Sequence, residues 1–262
     1  MPLAVRFLVP LLFVLFTGLS YGAIVTEPIE YTDGDTTLKG YLVYDEALPH
    51  RRPGVLVAHE WWGLNDFVRE RTKHLANLGY VAFALDMYGE GRVTEHSNEA
   101  MAWMQQISAD RETWRRRALL GVEVLKSHPM VNAQRIAAIG FCFGGGTVME
   151  LAYAGTDLAG VVSFHGPLTP AVDLPRGGIK ASILVAHGEN DSFVPALRIA
   201  AFKSALEDVG ADWQMVTYGG AKHGFTNPQA GQYGMDNLAY DERADRRSWA
   251  LMRLFLDEIF TR

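Results

Sequence analysis

One stretch constrains this chain more than any other: Ile136-Ala-Ala-Ile-Gly140-Phe141-Cys142-Phe143-Gly144-Gly145-Gly146. It opens as an apolar run of strand character, turns at Gly-x-Cys-x-Gly, and continues into a helix expected from about Thr147 to Tyr153. A sharp strand–turn–helix of this kind lifts its central side chain above the end of a sheet. Small flanking residues are needed because strand and helix backbones come close there. The helix N-terminus supplies unpaired N–H groups and a positive dipole end, and both favour a thiolate. Cys142 is the single cysteine of the chain, so it has no internal disulfide partner. A small buried residue is the plainer reading of a lone thiol. That reading gives no use to three consecutive glycines at a strand–helix junction.

The rest of the chain alternates strands with helices. Ile24–Tyr31 and Thr37–Tyr44 flank Asp33-Gly34-Asp35, which is hairpin chemistry. Further strands are expected at Gly54–Ala58, Tyr80–Leu85, Arg135–Gly140, Leu158–Phe164, Ala181–Ala186 and Asp212–Tyr218. Asn65-Asp66 can cap a helix with Val68, Leu75 and Leu78 on one face, stopped by Gly79. Ser97 opens a helix with Met101, Met104 and Ile107 inward. Asp110 opens another, with Trp114, Ala118, Val122 and Leu125 in line before Pro129. Pro195 suits the first turn of a helix that buries Ile199, Phe202, Leu206 and Val209 and stops at Gly210. Thr226–Leu238 reads as a polar, Gly-rich loop, and a last helix as about Tyr240–Phe260. The fold class is therefore α/β: a mostly parallel sheet with antiparallel N-terminal strands and helices on both faces. With 48% hydrophobic and 21% charged residues, 24–262 suits one domain with a substantial core. A net charge of −6 offers no basic field for nucleic acid or an anionic membrane.

Residues 1–23 stand apart. Arg6 precedes the apolar run Phe7–Leu19, and Ser20-Tyr21-Gly22-Ala23 follows. This reads as a secretory signal peptide cut after Gly22 or Ala23, which places the protein in a periplasmic or extracellular space. The run is shorter than the roughly 20 apolar residues of a spanning helix and contains Pro10. Uncleaved retention as an anchor is the alternative. Exported compartments oxidise thiols, so a reactive Cys142 needs shelter at rest.

A thiol nucleophile needs a base, and the base needs an orienting acid. Asp191 follows the strand Ala181–Ala186, and His223 follows the strand Asp212–Tyr218. The order nucleophile, acid, histidine and their loop placement fit acyl transfer on a parallel sheet. Attack on a carbonyl builds charge on oxygen, which two backbone N–H groups must meet. The amide after the nucleophile, Phe143, and one from the early strand–helix loop, Trp61, are the candidates. His187, Glu189, Asp191 and His223 form no H-E-x-x-H pattern, so no metal and no cofactor is expected.

These motifs together resemble the dienelactone hydrolase family. The resemblance rests on Gly140-Phe-Cys142-Phe-Gly144-Gly145, His59-Glu60 with Gly63 behind, Asp86-Met-Tyr88-Gly89, Asp191-Ser-Phe-Val-Pro195 and His223-Gly-Phe225. It runs from about residue 25 to 260. It implies an α/β-hydrolase fold and a Cys142–His223–Asp191 triad cleaving an enol-lactone. It also implies that Glu60 holds the resting thiol protonated and takes its proton when substrate arrives. Two family arginines that clamp a substrate carboxylate correspond here to Glu90 and Asn227. A carboxylate in place of a guanidinium repels an anion. Arg92 lies nearby, and Tyr88, Trp62 and Arg92 are expected to touch substrate. The expected activity is cleavage of a neutral or more apolar ester or lactone through a cysteine acyl-enzyme. A non-catalytic acyl-ligand binding protein and a thioesterase or acyltransferase remain open as alternatives. The expected partner is a small ester or lactone, with no nucleic acid, no stable membrane anchor after signal cleavage, and a monomeric state.

Overall fold

The structure, a computed structural model, describes residues 24–48 and 51–262. The expected signal peptide lies outside the described residues. Strands β1 (Ile24–Asp33) and β2 (Thr36–Asp45) form the antiparallel hairpin. The remaining strands are β3 (Arg52–Ala58), β4 (Val81–Leu85), β5 (Val131–Phe141), β6 (Gly160–Phe164), β7 (Ser182–Gly188) and β8 (Trp213–Tyr218). They make one eight-stranded sheet in the order β1-β2-β4-β3-β5-β6-β7-β8. β2 joins β4 antiparallel, and the six strands from β4 to β8 run parallel.

Side chains alternate across this sheet with the two-residue period of a strand. On β5, Ile136 and Ala138 enter one core while Ala137, Ile139 and Phe141 enter the other. The first core is covered by α2 (Ser97–Ser108), α3 (Arg111–Ser127), α4 (Phe143–Tyr153) and α5 (Ala196–Val209). The second is covered by α1 (Asp66–Asn77) and α6 (Glu242–Thr261). Both faces are therefore dry, and β4, β6 and β7 are buried along their whole length. The chain leaves β3 toward β4 and returns to β5 on the other side. The carboxyl ends of β3 and β5 are thus a topological switch point, where parallel sheets open a crevice.

Several boundaries differ from the sequence expectation. β5 begins at Val131, four residues before the expected Arg135. α4 begins at Phe143 rather than Thr147, because its glycines are helical and tightly packed rather than a breaker. Met101 is 42% exposed, whereas Ile107 of the same helix is buried. The loop after His223 contains a short 3₁₀ turn, Ala230–Tyr233. α6 starts at Glu242 because Asp241 caps it, accepting from the N–H groups of Arg243 and Ala244 at 3.0 Å each.

Candidate active site

Cys142 sits between β5 and α4 with φ +53° and ψ −116°, a region that L-residues rarely occupy. Its N–H is held twice, by Phe164 O at 3.0 Å and by His165 Nδ1 at 3.2 Å. The glycines flanking it are there for space. A Cβ on Gly140 would lie 2.0 Å from Gly144 O, and one on Gly144 would lie 2.1 Å from Ala58 O. Both obstacles are backbone, so neither can give way. The first turn of α4 is thereby pressed between β3 and β5. Its leading amide, Phe143 N–H, has no carbonyl one turn back to bond.

The loop after β7 brings Asp191, and the loop after β8 brings His223. His223 Nδ1 lies 2.7 Å from Asp191 Oδ2, and both side chains are buried. Burial opposes charge on the imidazole. Cys142 and Asp191 together outweigh it, the first chiefly through its charge and the second through its hydrogen bond and charge. The net effect pushes His223 up to about 10. Asp191, His223 and Cys142 are thus one line of contacts. The rings of His165 and Phe193 lean edge-on against His223, with centroids at 5.1 and 4.9 Å.

The loop after β3 carries His59, Glu60, Trp61 and Trp62. His59 is fully buried, and burial pushes its imidazole down, so the ring is neutral. Met87 N–H donates to His59 Nε2 at 3.2 Å, which leaves the ring proton on Nδ1 to donate to Glu60 O. Gly63 N–H donates to the same oxygen at 3.2 Å. A peptide group is planar and trans, so pinning the Glu60 carbonyl aims the Trp61 N–H the opposite way. Among the described residues that N–H has no protein acceptor. Tyr88 completes the loop, donating its hydroxyl to Trp61 O at 3.0 Å. Burial, with the charges of Cys142 and Asp86, holds the Tyr88 phenol above its ordinary range. Asp86 ties the β4 loop by accepting from Lys39 N–H at 3.0 Å and from Tyr88, Gly89 and Gly91 N–H at 2.9 Å each.

Glu60 is 3% exposed, and Asn227 Nδ2 donates to its Oε2 at 2.7 Å. Burial pushes its carboxyl up to about 7, against the pull of Asn227, His223 and Arg71. The hydrogen bond that the Glu60 carboxylate accepts thus comes from Asn227.

A fold of this order, with a strained cysteine facing a histidine–aspartate pair at the switch point, can be set against known proteins. The family model of the dienelactone hydrolase family matches residues 38–260. The chain belongs to the dienelactone hydrolase family. A Saccharolobus solfataricus protein provisionally named a carboxymethylenebutenolidase is 26% identical over 88% of this chain and 98% of its own. The crystal structure of a dienelactone hydrolase-like promiscuous phosphotriesterase from metagenomic libraries is 40% identical, with a TM-score of 0.88. The match covers 91% of this chain and all of that one. The dienelactone hydrolase of Anabaena variabilis shares the fold, with a TM-score of 0.62 and 22% identity over 88% of this chain and 98% of that one. As a family member the chain is a hydrolase of esters or lactones.

The positions that the resemblance matches to the family's carboxylate clamp lie in two unlike settings. Glu90 is exposed and pairs with Lys39 at 3.2 Å. Asn227 is 1% exposed and spends its amide on Glu60. Arg92 is exposed, with its guanidinium 5.8 Å from the Trp103 ring centroid. Trp62 is 2% exposed and stacks on Tyr233 at 3.9 Å. Tyr88 is buried and stacks on Phe143.

Sequence reasoning passed over His165, Thr226, His59 and Arg71. His165 Nε2 lies 2.8 Å from Thr226 Oγ1, and Arg71 donates to Thr226 O and to Asp245 Oδ1. One signal was available. His165 directly follows a buried parallel strand, where sites on such sheets gather.

Proposed function

We propose that this family member cleaves a neutral ester or lactone through an acyl group carried on Cys142. The support is the strained cysteine at the head of α4, close enough to act electrostatically on a His223 that Asp191 holds at 2.7 Å. His223 takes the thiol proton, and the thiolate attacks the carbonyl carbon. The oxyanion is met by the N–H groups of Phe143 and Trp61, each worth roughly 10²–10³ in rate. His223 then protonates the departing oxygen, and the acyl group stays on sulfur. A water, deprotonated by His223, attacks the thioester and frees the acid. Glu60 is assigned to keep the thiol protonated at rest, when the sulfur is turned away from His223. Its carboxyl, near neutrality at about 7, suits either direction of transfer.

A neutral substrate is favoured because an anion would meet Glu90 at the rim and a committed Asn227 below it. The neighbour named as a promiscuous phosphotriesterase makes neutral phosphotriesters a second class to offer. Export is likewise proposed from the leader-like residues 1–23; no described helix is long and apolar enough to cross a membrane. The test is a matched pair of aryl esters that differ only by a carboxylate on the acyl chain. The neutral ester is expected to have the higher kcat/KM. A preference for the anionic one would overturn the substrate assignment.

A further inference from the structure

Two residues at neighbouring strand ends, Cys142 and His165, both have positive φ, +53° and +39°. Such a pair persists only where its surroundings hold it. His165 is completely buried, and its ring makes two polar contacts. Nδ1 accepts the Cys142 N–H at 3.2 Å, so the ring proton sits on Nε2 and donates to Thr226 Oγ1 at 2.8 Å. Thr226 lies three residues beyond His223, on the same loop. Its carbonyl is anchored in turn by Arg71, which pairs with Asp245 at 2.7 Å. Backbone β-ladders fix β5 to β6, but none of them reaches this loop.

We propose that His165 is a positioning residue, a neutral imidazole that fixes the nucleophile's backbone and the His223 loop to one rigid ring. This rests on Cys142 being the nucleophile. The distance between sulfur and base is then set by a side chain that touches neither substrate nor the reacting atoms. Protonation of His165 would remove the acceptor for the Cys142 N–H. Burial opposes it first, and the charge of His223 second, with Arg71 and His187 adding to both. The groups that face His223 itself are Cys142, Asp191, Glu60, His165 and His187.

A ring that only filled space would tolerate loss of one hydrogen bond at unchanged turnover per active thiol. The test compares Thr226→Val, Thr226→Ser, His165→Asn and the double variant Thr226→Val/His165→Asn. Asn keeps an acceptor near the place of Nδ1 and gives up the Thr226 bond. Each protein is assayed on a chromogenic aryl ester, with active thiol titrated by the initial burst. Iodoacetamide alkylation of Cys142 is followed against pH. Thr226→Val and His165→Asn are each expected to lower kcat per titrated thiol about tenfold with KM nearly unchanged. Both should shift the pH midpoint of alkylation, while Thr226→Ser behaves as wild type. The double variant should be no slower than the single ones, because one bond is lost once. Wild-type kcat per thiol in all variants, or losses that multiply in the double variant, would overturn the positioning role. Undiminished turnover in Cys142→Ala would instead overturn the acyl-enzyme reading on which it rests.

Discussion

The two sides of the crevice are built differently. On the nucleophile side, His165 bonds both Cys142 N–H and Thr226, and Asp191 bonds His223, at 2.7 to 3.2 Å. On the rim as proposed above, in the loop after β4, Glu90 and Arg92 are exposed, one on Lys39 and the other over Trp103. Changing a buried group leaves its partner unpaired in low dielectric. Changing a rim group costs little, because water replaces what is lost. Under the proposed reaction the chemistry is therefore hard to alter, and the charge at position 90 easy. Asn227 belongs with the first kind, since it is buried and its amide is spent on Glu60.

The contrast is broken most decisively at the nucleophile. Cys142→Ala is expected to abolish turnover of an aryl ester, and His223→Ala to cost about 10⁴-fold in kcat. Cys142→Ser should stay weakly active if the oxyanion donors are intact, as a steady-state assay would register. Asp191→Asn leaves the ring of His223 in place but removes the charge that orients and supports it. A loss of about 10³-fold is expected in kcat with KM little changed.

Glu60 gives a pH-dependent effect of intermediate size. Its folded carboxyl titrates at about 7, above the 4.5 of the unfolded chain. Between those values the folded state holds a proton that the unfolded state has released. Its contribution to stability therefore falls as pH rises through that window and stays low above it. Glu60→Gln keeps an acceptor for Asn227 and carries no charge. It should raise Tm relative to wild type at pH 8, by the equivalent of up to about 3 kcal/mol more than at pH 4. An equal shift at both pH values would remove the buried carboxyl from the account. The smallest effect belongs to the rim. Glu90→Arg should move the kcat/KM ratio of anionic to neutral ester about tenfold toward the anion, weakening with salt. No change would mean that position 90 does not face the substrate.

Much of this was legible in the sequence, for a physical reason. The Gly-x-Cys-x-Gly turn and Asp191 follow buried parallel strands, which announce themselves as short apolar runs, and His223 follows the edge strand β8, which reads as an alternating pattern. The glycine run misled, since low helix propensity pointed to Thr147 as the start of α4. Packing against Ala58 O overrides propensity there. The role of His165 was invisible for a different reason. Its partners are a backbone amide 23 residues away and a hydroxyl 61 residues away, and neither leaves a local pattern. His59 enters the sequence reading only within the His59-Glu60 motif, and its tautomer is fixed by Met87 N–H and Glu60 O, which no local pattern announces. Glu90 and Asn227 were readable as departures, but not that one is exposed and the other buried.

The proposed reaction requires a bond between the acyl group and the sulfur of Cys142. Rapid acid quenching of a reaction with an aryl acetate, followed by mass spectrometry of the peptide that contains Cys142, addresses it directly. The account predicts an acetyl mass on that peptide during the burst, absent in Cys142→Ala and cleared when ester is exhausted. Full turnover with Cys142 unmodified at every quench time would contradict it.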